Sequence, residues 1–176
     1  MTTGVRGVGV DIVDLGAFAA SLAEPGTRLT RAFSATERRQ CRERAESRGA
    51  RPGEATVSSS GASGASAPGT SGPAPARRED PLARHLAARW AAKEAVVKAW
   101  SAALYGEPPP IAPDLLRWSE IETVCDNWGR PSVRLGGEVA RQVAATIGEG
   151  ARWNVSLSHD GGSAIAFVVL EGPGVQ

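Results

Sequence analysis

The chain has 176 residues, of which 41% are hydrophobic and 22% charged, and its formal net charge is +1. This composition is close to that of soluble globular domains, and the balanced charge excludes a strong general attraction to nucleic acid or to an acidic membrane surface. No apolar run is long enough to span a membrane, and the first residues lack the layout of a signal peptide. We therefore expect a cytoplasmic protein with neither nucleic-acid nor membrane partners.

Cysteines and histidines are too few and too widely spaced to form a zinc site. The chain contains Cys41, Cys125, His85 and His159, with no CxxC pair and no histidine at metal-ligand spacing from a cysteine. We expect both cysteines to be free thiols.

The segment from Ser47 to Ala76 differs from the rest of the chain. Of its 30 residues, 26 are Gly, Ala, Ser, Pro or Thr, so it offers almost no large side chains to bury. Without such burial nothing offsets the entropy lost on ordering, and we predict a disordered insertion at 47–76. The 46 preceding residues are too few for a separate core, so we predict one domain that spans 1–176.

The first predicted element is a buried strand over Val5–Val13, which carries Asp11 among β-branched residues. A helix follows further along the chain, because Ser34 and Glu37 form the Ser-x-x-Glu pattern of a capping box. The pattern predicts that this helix continues through Arg44.

The longest predicted helix begins at Asp80-Pro81, where aspartate suits the N-cap and proline the first helical position. It extends to about Tyr105, where Gly106 and three prolines end it. Further elements are a hairpin of strands 121–125 and 132–135, a helix over 136–147, and closing strands over 153–158 and 165–170. Since helices and hairpins mix without regular βαβ alternation, the predicted class is α+β.

Candidate chemistry is concentrated in two carboxylates and one lysine. An ionised Asp11 inside an apolar strand is costly unless it is paired or bound to a metal, and Glu94 and Lys98 lie at i, i+4 on one helix face. Mg²⁺ binds one or two protein carboxylates together with phosphate and water, and a nearby cation stabilises a phosphoryl group during transfer. Two structural alternatives remain at this point: a paired core carboxylate for Asp11, and an ordinary surface ion pair for Glu94 and Lys98.

Two apparent motifs do not carry a function. Gly7-x-Gly9 resembles part of a dinucleotide fingerprint, but the strand continues after it where a helix should begin. The chain has no GxxxxGK[ST] run, and Ser156, Ser158 and His159 are too close along one strand to converge as a catalytic triad.

Three motifs nevertheless form a recognisable series. They are VGVDIVD at 8–14, RWAAKEAVVKA at 89–99 and WNVSLSHD at 153–160, with weaker matches at 31–37, 121–123 and 129–131. In this order and spacing the chain resembles the holo-[acyl-carrier-protein] synthase family, the small trimeric type of 4′-phosphopantetheinyl transferase. The resemblance covers nearly all of the chain except 47–76. It implies a small antiparallel sheet packed with a long central helix and shorter helices.

The resemblance also implies an activity. The enzyme would transfer 4′-phosphopantetheine from coenzyme A to a serine of an apo acyl carrier protein, in fatty-acid or polyketide biosynthesis, with release of 3′,5′-ADP. Asp11 and Glu94 would hold Mg²⁺, and Lys98 would contact phosphate and stabilise the developing charge. The residues implied to hold the nucleotide half are Arg89, Gly129, Arg130, Pro131, Ser158 and His159.

The family resemblance further implies a homotrimer with each site between neighbouring subunits. Related chains usually carry a carrier-docking arginine where this chain has Ala17. The arginines between Arg38 and Arg44 could replace it, or could simply form a solvated helix face. Two other functions use the same residues: a Mg²⁺-dependent hydrolase of coenzyme A or another pyrophosphate, and a non-catalytic module that binds carrier protein.

Overall fold

A computed structural model describes residues 3–49 and 80–173 of the chain. The first part contains β1 (Thr3–Asp14), α1 (Leu15–Ala23), a 3₁₀ turn (Leu29–Ala32) and α2 (Ala35–Gly49). The second contains α3 (Pro81–Ala103), a 3₁₀ turn (Trp118–Glu120), β2 (Ile121–Cys125), β3 (Pro131–Leu135), α4 (Gly137–Thr146), β4 (Arg152–Asp160) and β5 (Ser163–Pro173). The predicted α+β class is confirmed.

The main sheet is antiparallel, with strand order β1-β5-β4, and β2 and β3 form a separate hairpin. Alternate residues of a strand point to opposite faces, and β5 follows this rule closely: Ala166 and Val168 are buried, whereas Ile165 and Phe167 are exposed. The buried face packs against α3, and the other face lies open in the single chain.

Two glycines allow β1 to lie directly on α3. A Cβ atom on Gly9 would overlap the carbonyl oxygen of Ala95 and lie 2.7 Å from the backbone nitrogen of Ala99. Gly7 meets Ala99 and Ala103 in the same way. Gly7 and Gly9 therefore allow the strand to pack closely on the helix. They do not form the phosphate-binding turn that a dinucleotide fingerprint would require.

Both predicted helix starts form the expected caps. The backbone nitrogen of Ser34 donates to Glu37 Oε2 at 2.9 Å, and the Glu37 nitrogen donates to Ser34 Oγ at 3.0 Å. Asp80 Oδ1 accepts from the nitrogen of Leu82 at 2.9 Å. These local signals need only neighbouring residues, and they begin α2 and α3 as predicted.

The structure differs from the sequence prediction in three places. Helix α1 was not predicted, although Asp14 caps it by accepting from the nitrogen of Ala17 at 2.7 Å and Phe18 buries its ring. Helix α3 ends at Ala103, two residues before Tyr105. Residues 47–49 continue α2, whereas we had assigned them to the disordered insertion. The remainder of that predicted insertion, 50–76, lies outside the described residues.

Candidate active site

The first candidate site lies where β1 crosses α3. Asp11 is only 7% exposed, because its neighbours Val10 and Ile12 take the open face of the sheet and leave Asp11 on the helix side. Its Oδ1 accepts from Lys98 Nζ at 2.7 Å, and Lys98 Nζ also donates to the carbonyl of Val10 at 3.1 Å. The second carboxylate oxygen, Oδ2, is buried and has no hydrogen-bond partner. One oxygen of Asp11 is thus available to a ligand.

Glu94 completes this carboxylate site. Burial raises the pKa of Glu94, and the charge of Asp11 beside it raises that pKa further. The pKa of Lys98 is raised, first by its hydrogen bond to Asp11. Lys98 forms its ion pair with Asp11. The alternative interpretation, an ordinary surface ion pair between Glu94 and Lys98, is therefore not what the structure shows. The structure therefore brings together the three residues that the sequence singled out from separate elements.

The donor set of this site suits magnesium better than a transition metal. Two neighbouring carboxylates repel each other, and a divalent cation between them offsets that repulsion. Within residues 3–49 and 80–173 no three His, Cys, Asp or Glu side chains are grouped so as to hold a metal by themselves. Two carboxylates with remaining positions left to phosphate and water is the arrangement typical of Mg²⁺ in phosphoryl-transfer sites, and the unpartnered Oδ2 of Asp11 fits it.

A second candidate site is a cavity of about 260 Å³ that is bordered by α2, α3, the β2–β3 turn and β4. Five residues predicted to bind the nucleotide line it: Arg89, Gly129, Pro131, Ser158 and His159. No acidic residue is among the described residues of its wall. We call it the cationic pocket.

Arg89 gives the cationic pocket its charge. It is 3% exposed, its Nη2 donates to Cys125 Sγ at 3.1 Å, and its buried Nε has no hydrogen-bond partner. No carboxylate of the described residues forms an ion pair with it. Because a buried charge without a counterion is costly, an arginine in this state indicates an anion-binding site.

Arg130 is the predicted nucleotide residue that does not line the cationic pocket. Its Nε donates to Asp126 Oδ2 at 2.6 Å, and its guanidinium lies 4.9 Å from the centre of the Trp128 ring. The turn that carries it brings Gly129 to φ +90°, a backbone conformation that glycine adopts without strain. The side chain of Arg130 thus stabilises this turn, while Gly129 and Pro131 border the cavity.

Among the ionisable residues of the cationic pocket, sequence reasoning missed three. Arg44, His85 and Cys125 also line it. Nothing in their local sequence indicates this position, because Arg44 belongs to α2, His85 to α3 and Cys125 to the end of β2. Only the packing of these elements brings the residues together.

A buried ion pair between Lys93 and Glu37 fixes α3 relative to α2 and β2. Lys93 Nζ donates to Glu37 Oε2 at 2.8 Å, to the carbonyl of Trp118 at 3.1 Å and to the carbonyl of Ile121. Glu37 Oε1 accepts from the nitrogen of Thr123 at 2.9 Å. Burial lowers the pKa of Lys93. Glu37 was predicted only as a helix cap, and its second role depends on contacts between distant segments.

The two candidate sites lie on opposite sides of α3. Arg89 and Lys98 are separated by nine residues, which corresponds to about 900° of helical rotation, or half a turn beyond two full turns. The same separation advances the helix by about 13 Å. The structure thus places two separate candidate sites around α3.

Comparisons with known proteins identify the family of this chain. The family model described as "4'-phosphopantetheinyl transferase superfamily" matches residues 61–168. A holo-[acyl-carrier-protein] synthase of Corynebacterium glutamicum is 39% identical over 163 residues, 93% of this chain and 96% of its own length. Another, from Bifidobacterium animalis subsp. lactis, is 41% identical over 172 residues, 94% of this chain and 97% of its own.

Solved structures give the same result. An ACPS–CoA complex of Chronobacterium ammoniagenes superposes with a TM-score of 0.72 at 35% identity, over 98% of this chain and 99% of the other. An acyl carrier protein synthase of Mycobacterium tuberculosis does so with a TM-score of 0.61 at 32% identity, over 97% and 100%. The chain belongs to the holo-[acyl-carrier-protein] synthase family of the 4′-phosphopantetheinyl transferase superfamily.

Proposed function

We propose that this chain transfers the 4′-phosphopantetheine arm of coenzyme A to a serine of an apo acyl carrier protein and releases 3′,5′-ADP. The observation that carries the proposal is the meeting of Asp11 and Glu94 beside Lys98 at the crossing of β1 and α3. The relatives named as holo-[acyl-carrier-protein] synthases support the reaction, and the related structure described as a complex with CoA supports the donor substrate.

Asp11 and Glu94 would hold Mg²⁺, which when bound supplies positive charge to the diphosphate of coenzyme A. Lys98 holds its ammonium group at the solvent side of the site, with 54% of its side chain exposed, so it can contact a phosphate oxygen. In the reaction the serine oxygen forms a bond to the phosphorus that carries pantetheine, and the bond from that phosphorus to the bridging oxygen breaks. The bridging oxygen leaves with the bonding electrons as part of 3′,5′-ADP, and the serine proton passes to a carboxylate of the site or to water. The ammonium of Lys98 stabilises the charge that develops on the phosphates.

The cationic pocket would hold the nucleotide half of coenzyme A. Arg89 offers a buried, unpaired guanidinium for phosphate, while Gly129, Pro131, Ser158 and His159 border the space for the ribose and adenine. Arg84 Nη2 lies 3.4 Å from His159 Nε2 and so restrains the histidine ring. Arg130 would lie at the rim of the cavity, where its hydrogen bond to Asp126 stabilises the β2–β3 turn.

A cavity of about 340 Å³ begins at Val97, which precedes Lys98 on α3, and would receive the pantetheine arm. Its wall also includes Ser101, Leu104 and Ile111. Its position one turn beyond Glu94 on α3 supports this path for the arm, because Glu94 and Val97 are i, i+3 neighbours.

The active form would be a homotrimer in the cytoplasm. The open face of the main sheet carries exposed apolar side chains, namely Val5, Val8, Val10, Ile12, Ile165 and Phe167. A contiguous apolar face of this kind is typical of a protein–protein interface. The family resemblance implies that each site lies between neighbouring subunits of such a trimer, so residues of two chains would surround one coenzyme A molecule.

Mass spectrometry of an apo acyl carrier protein, incubated with the enzyme, coenzyme A and Mg²⁺, tests the activity. A mass gain of one phosphopantetheine arm is expected. Release of 3′,5′-ADP without that gain would indicate hydrolysis, and neither product would indicate a binding module. Carrier proteins from fatty-acid and polyketide synthases, tested in parallel, identify the partner.

A matched pair of variants ties the activity to the proposed site. Glu94→Gln removes one carboxylate from the site and should lower the transfer rate at least ~100-fold, as expected for loss of a ligand to the ion that stabilises transition-state charge. Glu43→Gln changes an exposed carboxylate of α2 and should leave the rate unchanged. Equal rates for the two variants would refute the assignment of Glu94.

A further inference from the structure

Trp90 lies one helical turn before Glu94 on the same face of α3, because the two residues are i, i+4 neighbours. Its side chain is half-buried and hydrogen-bonds to the carboxylate of Glu94. Burial raises the pKa of Glu94 and the charge of Asp11 raises it further, whereas the hydrogen bond from Trp90 acts in the opposite direction. The indole N–H can only donate, so this hydrogen bond stabilises the ionised carboxylate, which is the form that binds a cation.

Two aromatic neighbours hold the indole ring of Trp90. Its centre is 4.9 Å from that of Trp118, with the ring planes tilted by 49°, and 6.4 Å from that of Phe33 in an edge-to-face arrangement. Both neighbours are anchored in turn: Phe33 is 1% exposed, and the carbonyl of Trp118 accepts from Lys93 Nζ at 3.1 Å. The packing of α3 against the segments around the two 3₁₀ turns therefore sets the direction of the Trp90 N–H.

The two carboxylates of the site are thus held in the same way, each by one donor from α3. Lys98 Nζ donates to Asp11 Oδ1 at 2.7 Å, and the indole of Trp90 donates to Glu94. The buried Oδ2 of Asp11 has no hydrogen-bond partner and stays available to an ion. Carboxylates that bind a metal are commonly oriented by such a hydrogen bond, and loss of the orienting partner typically costs about 10- to 100-fold in metal affinity.

We propose that Trp90 is a positioning residue: its indole N–H orients the carboxylate of Glu94 and thereby strengthens the binding of Mg²⁺ between Glu94 and Asp11. This inference rests on the proposed function, because that function supplies the ion. It assigns a role to the tryptophan of the motif RWAAKEAVVKA, for which the family resemblance implied none.

Two substitutions of Trp90 separate the N–H group from the packing of the ring. Trp90→Phe keeps an aromatic ring against Trp118 and Phe33 but has no N–H to donate. Trp90→His fills less of the space, yet its imidazole overlays the five-membered ring of the indole and places Nε2 at the position of Nε1. At about pH 8 a histidine with an ordinary pKa near 6.5 is neutral, so its Nε2–H can donate without adding a charge.

Calorimetric titration of Mg²⁺ into each chain, saturated with coenzyme A and without carrier protein, measures the metal affinity apart from turnover. Trp90→Phe should weaken Mg²⁺ binding roughly tenfold to 100-fold, and Trp90→His should bind Mg²⁺ more tightly than Trp90→Phe does. Thermal unfolding should rank the two variants in the opposite order, because phenylalanine buries more apolar surface than histidine. Trp153→Phe, the same change at a half-buried tryptophan of β4 that packs against the core, should leave the Mg²⁺ affinity unchanged.

A role of Trp90 in packing alone predicts a different result. If Trp90→Phe binds Mg²⁺ as tightly as the unchanged chain, or if the Mg²⁺ affinities of the two variants follow their Tm values, the N–H does not position Glu94 and the inference is wrong. Transfer kinetics give a second readout, since the activity lost in Trp90→Phe should return as the Mg²⁺ concentration is raised. Failure of the proposed function is seen separately, as an unchanged chain that adds no mass to any apo carrier protein while its Mg²⁺ affinity still depends on the Trp90 N–H.

Discussion

Burial distinguishes the two thiols of the chain. Cys41 on α2 is fully buried, whereas Cys125 is half-buried, lines the cationic pocket and accepts a hydrogen bond from Arg89. Burial raises the pKa of Cys41 to about 11, since a thiolate in an apolar setting lacks solvation. Cys41 therefore acts as a small core residue and not as a nucleophile.

The raised pKa of Cys41 predicts a loss of stability in alkali. Between pH 9 and 11 the unfolded chain releases the Cys41 proton while the folded chain retains it, so the free energy of unfolding falls as pH rises. The ionisation of Cys41 should leave the free energy of unfolding unchanged below pH 9 and lower it by about 2 kcal/mol by pH 11. Urea titrations of the unchanged chain and of Cys41→Ala across this range measure it. The alanine variant should show the weaker dependence on pH, and parallel curves would refute the prediction.

The glycines of β1 provide a second test at single residues. Gly9→Ala places a methyl group against the backbone of α3, so it should separate strand from helix and cost roughly 3 kcal/mol or more, as in overpacked cores. Gly4→Ala is a close control, because Gly4 lies on the same strand with no atom within 4 Å of an added Cβ. Thermal unfolding of both variants should show a lower Tm only for Gly9→Ala. Similar Tm values would mean that the strand can shift without cost.

At the scale of elements, local patterns predicted where helices begin, and contacts between elements determined their packing. The capping box of Ser34 and Glu37 predicted the start of α2 from four adjacent residues. The pairing of Glu37 with Lys93, 56 residues further along the chain, has no comparable local signal. This buried pair joins α2 to α3 and orients the helix that carries Glu94.

Breaking this pair should destabilise the fold strongly. Lys93→Met leaves a buried carboxylate without its counterion, and the expected cost is about 3–5 kcal/mol. Glu37→Gln combined with Lys93→Met removes that charge while keeping an oxygen for the nitrogen of Thr123, so the double variant should regain part of the stability. Urea unfolding, monitored by tryptophan fluorescence, measures the free energy of unfolding of each variant. A double variant less stable than Lys93→Met would contradict an electrostatic origin.

At the scale of the whole molecule, the chain presents two candidate sites, which the proposed homotrimer would combine between neighbouring subunits. The carboxylate site and the cationic pocket lie on opposite sides of α3, and an apolar face of the main sheet is open beside the first. Within residues 3–49 and 80–173, none of the helices has the length and hydropathy that a membrane span needs. Assembly of several copies would complete each site.

Assemblies that mix two variant chains test whether one active site uses residues of two subunits. Glu94→Gln should disable the carboxylate site and Arg89→Met the cationic pocket, so each variant alone should be inactive. Co-expressed chains should regain part of the transfer activity, because some interfaces combine an intact pocket with an intact carboxylate site. Carrier-protein mass spectrometry after co-purification provides the measurement. Co-purified mixtures that stay as inactive as either variant would show that each chain uses only its own residues.

Assembly itself can be tested at the sheet face. Phe167 is 47% exposed on β5, and Phe167→Lys should convert the assembly to monomers in sedimentation velocity experiments. Leu115→Lys, at an exposed leucine before the second 3₁₀ turn, is the control and should leave the sedimentation coefficient unchanged.

Features that depend on neighbouring residues or on short motifs could be predicted from the sequence. These include the α+β class, the capped starts of α2 and α3, the family, and the placement of Asp11 in a strand and of Glu94 and Lys98 on one helix face. Helix α1 had a usable signal in its Asp14 cap, but its apolar residues did not form a clear pattern.

Which residues share a site depended on the packing of distant segments, and the sequence did not predict it. It joined Lys98 to Asp11, 87 residues apart, paired Lys93 with Glu37, and brought Arg44 into the cationic pocket. The physical reason is that these contacts depend on how strands and helices pack across long stretches of chain. A sequence motif records the type of each residue, but not the direction in which its side chain finally points.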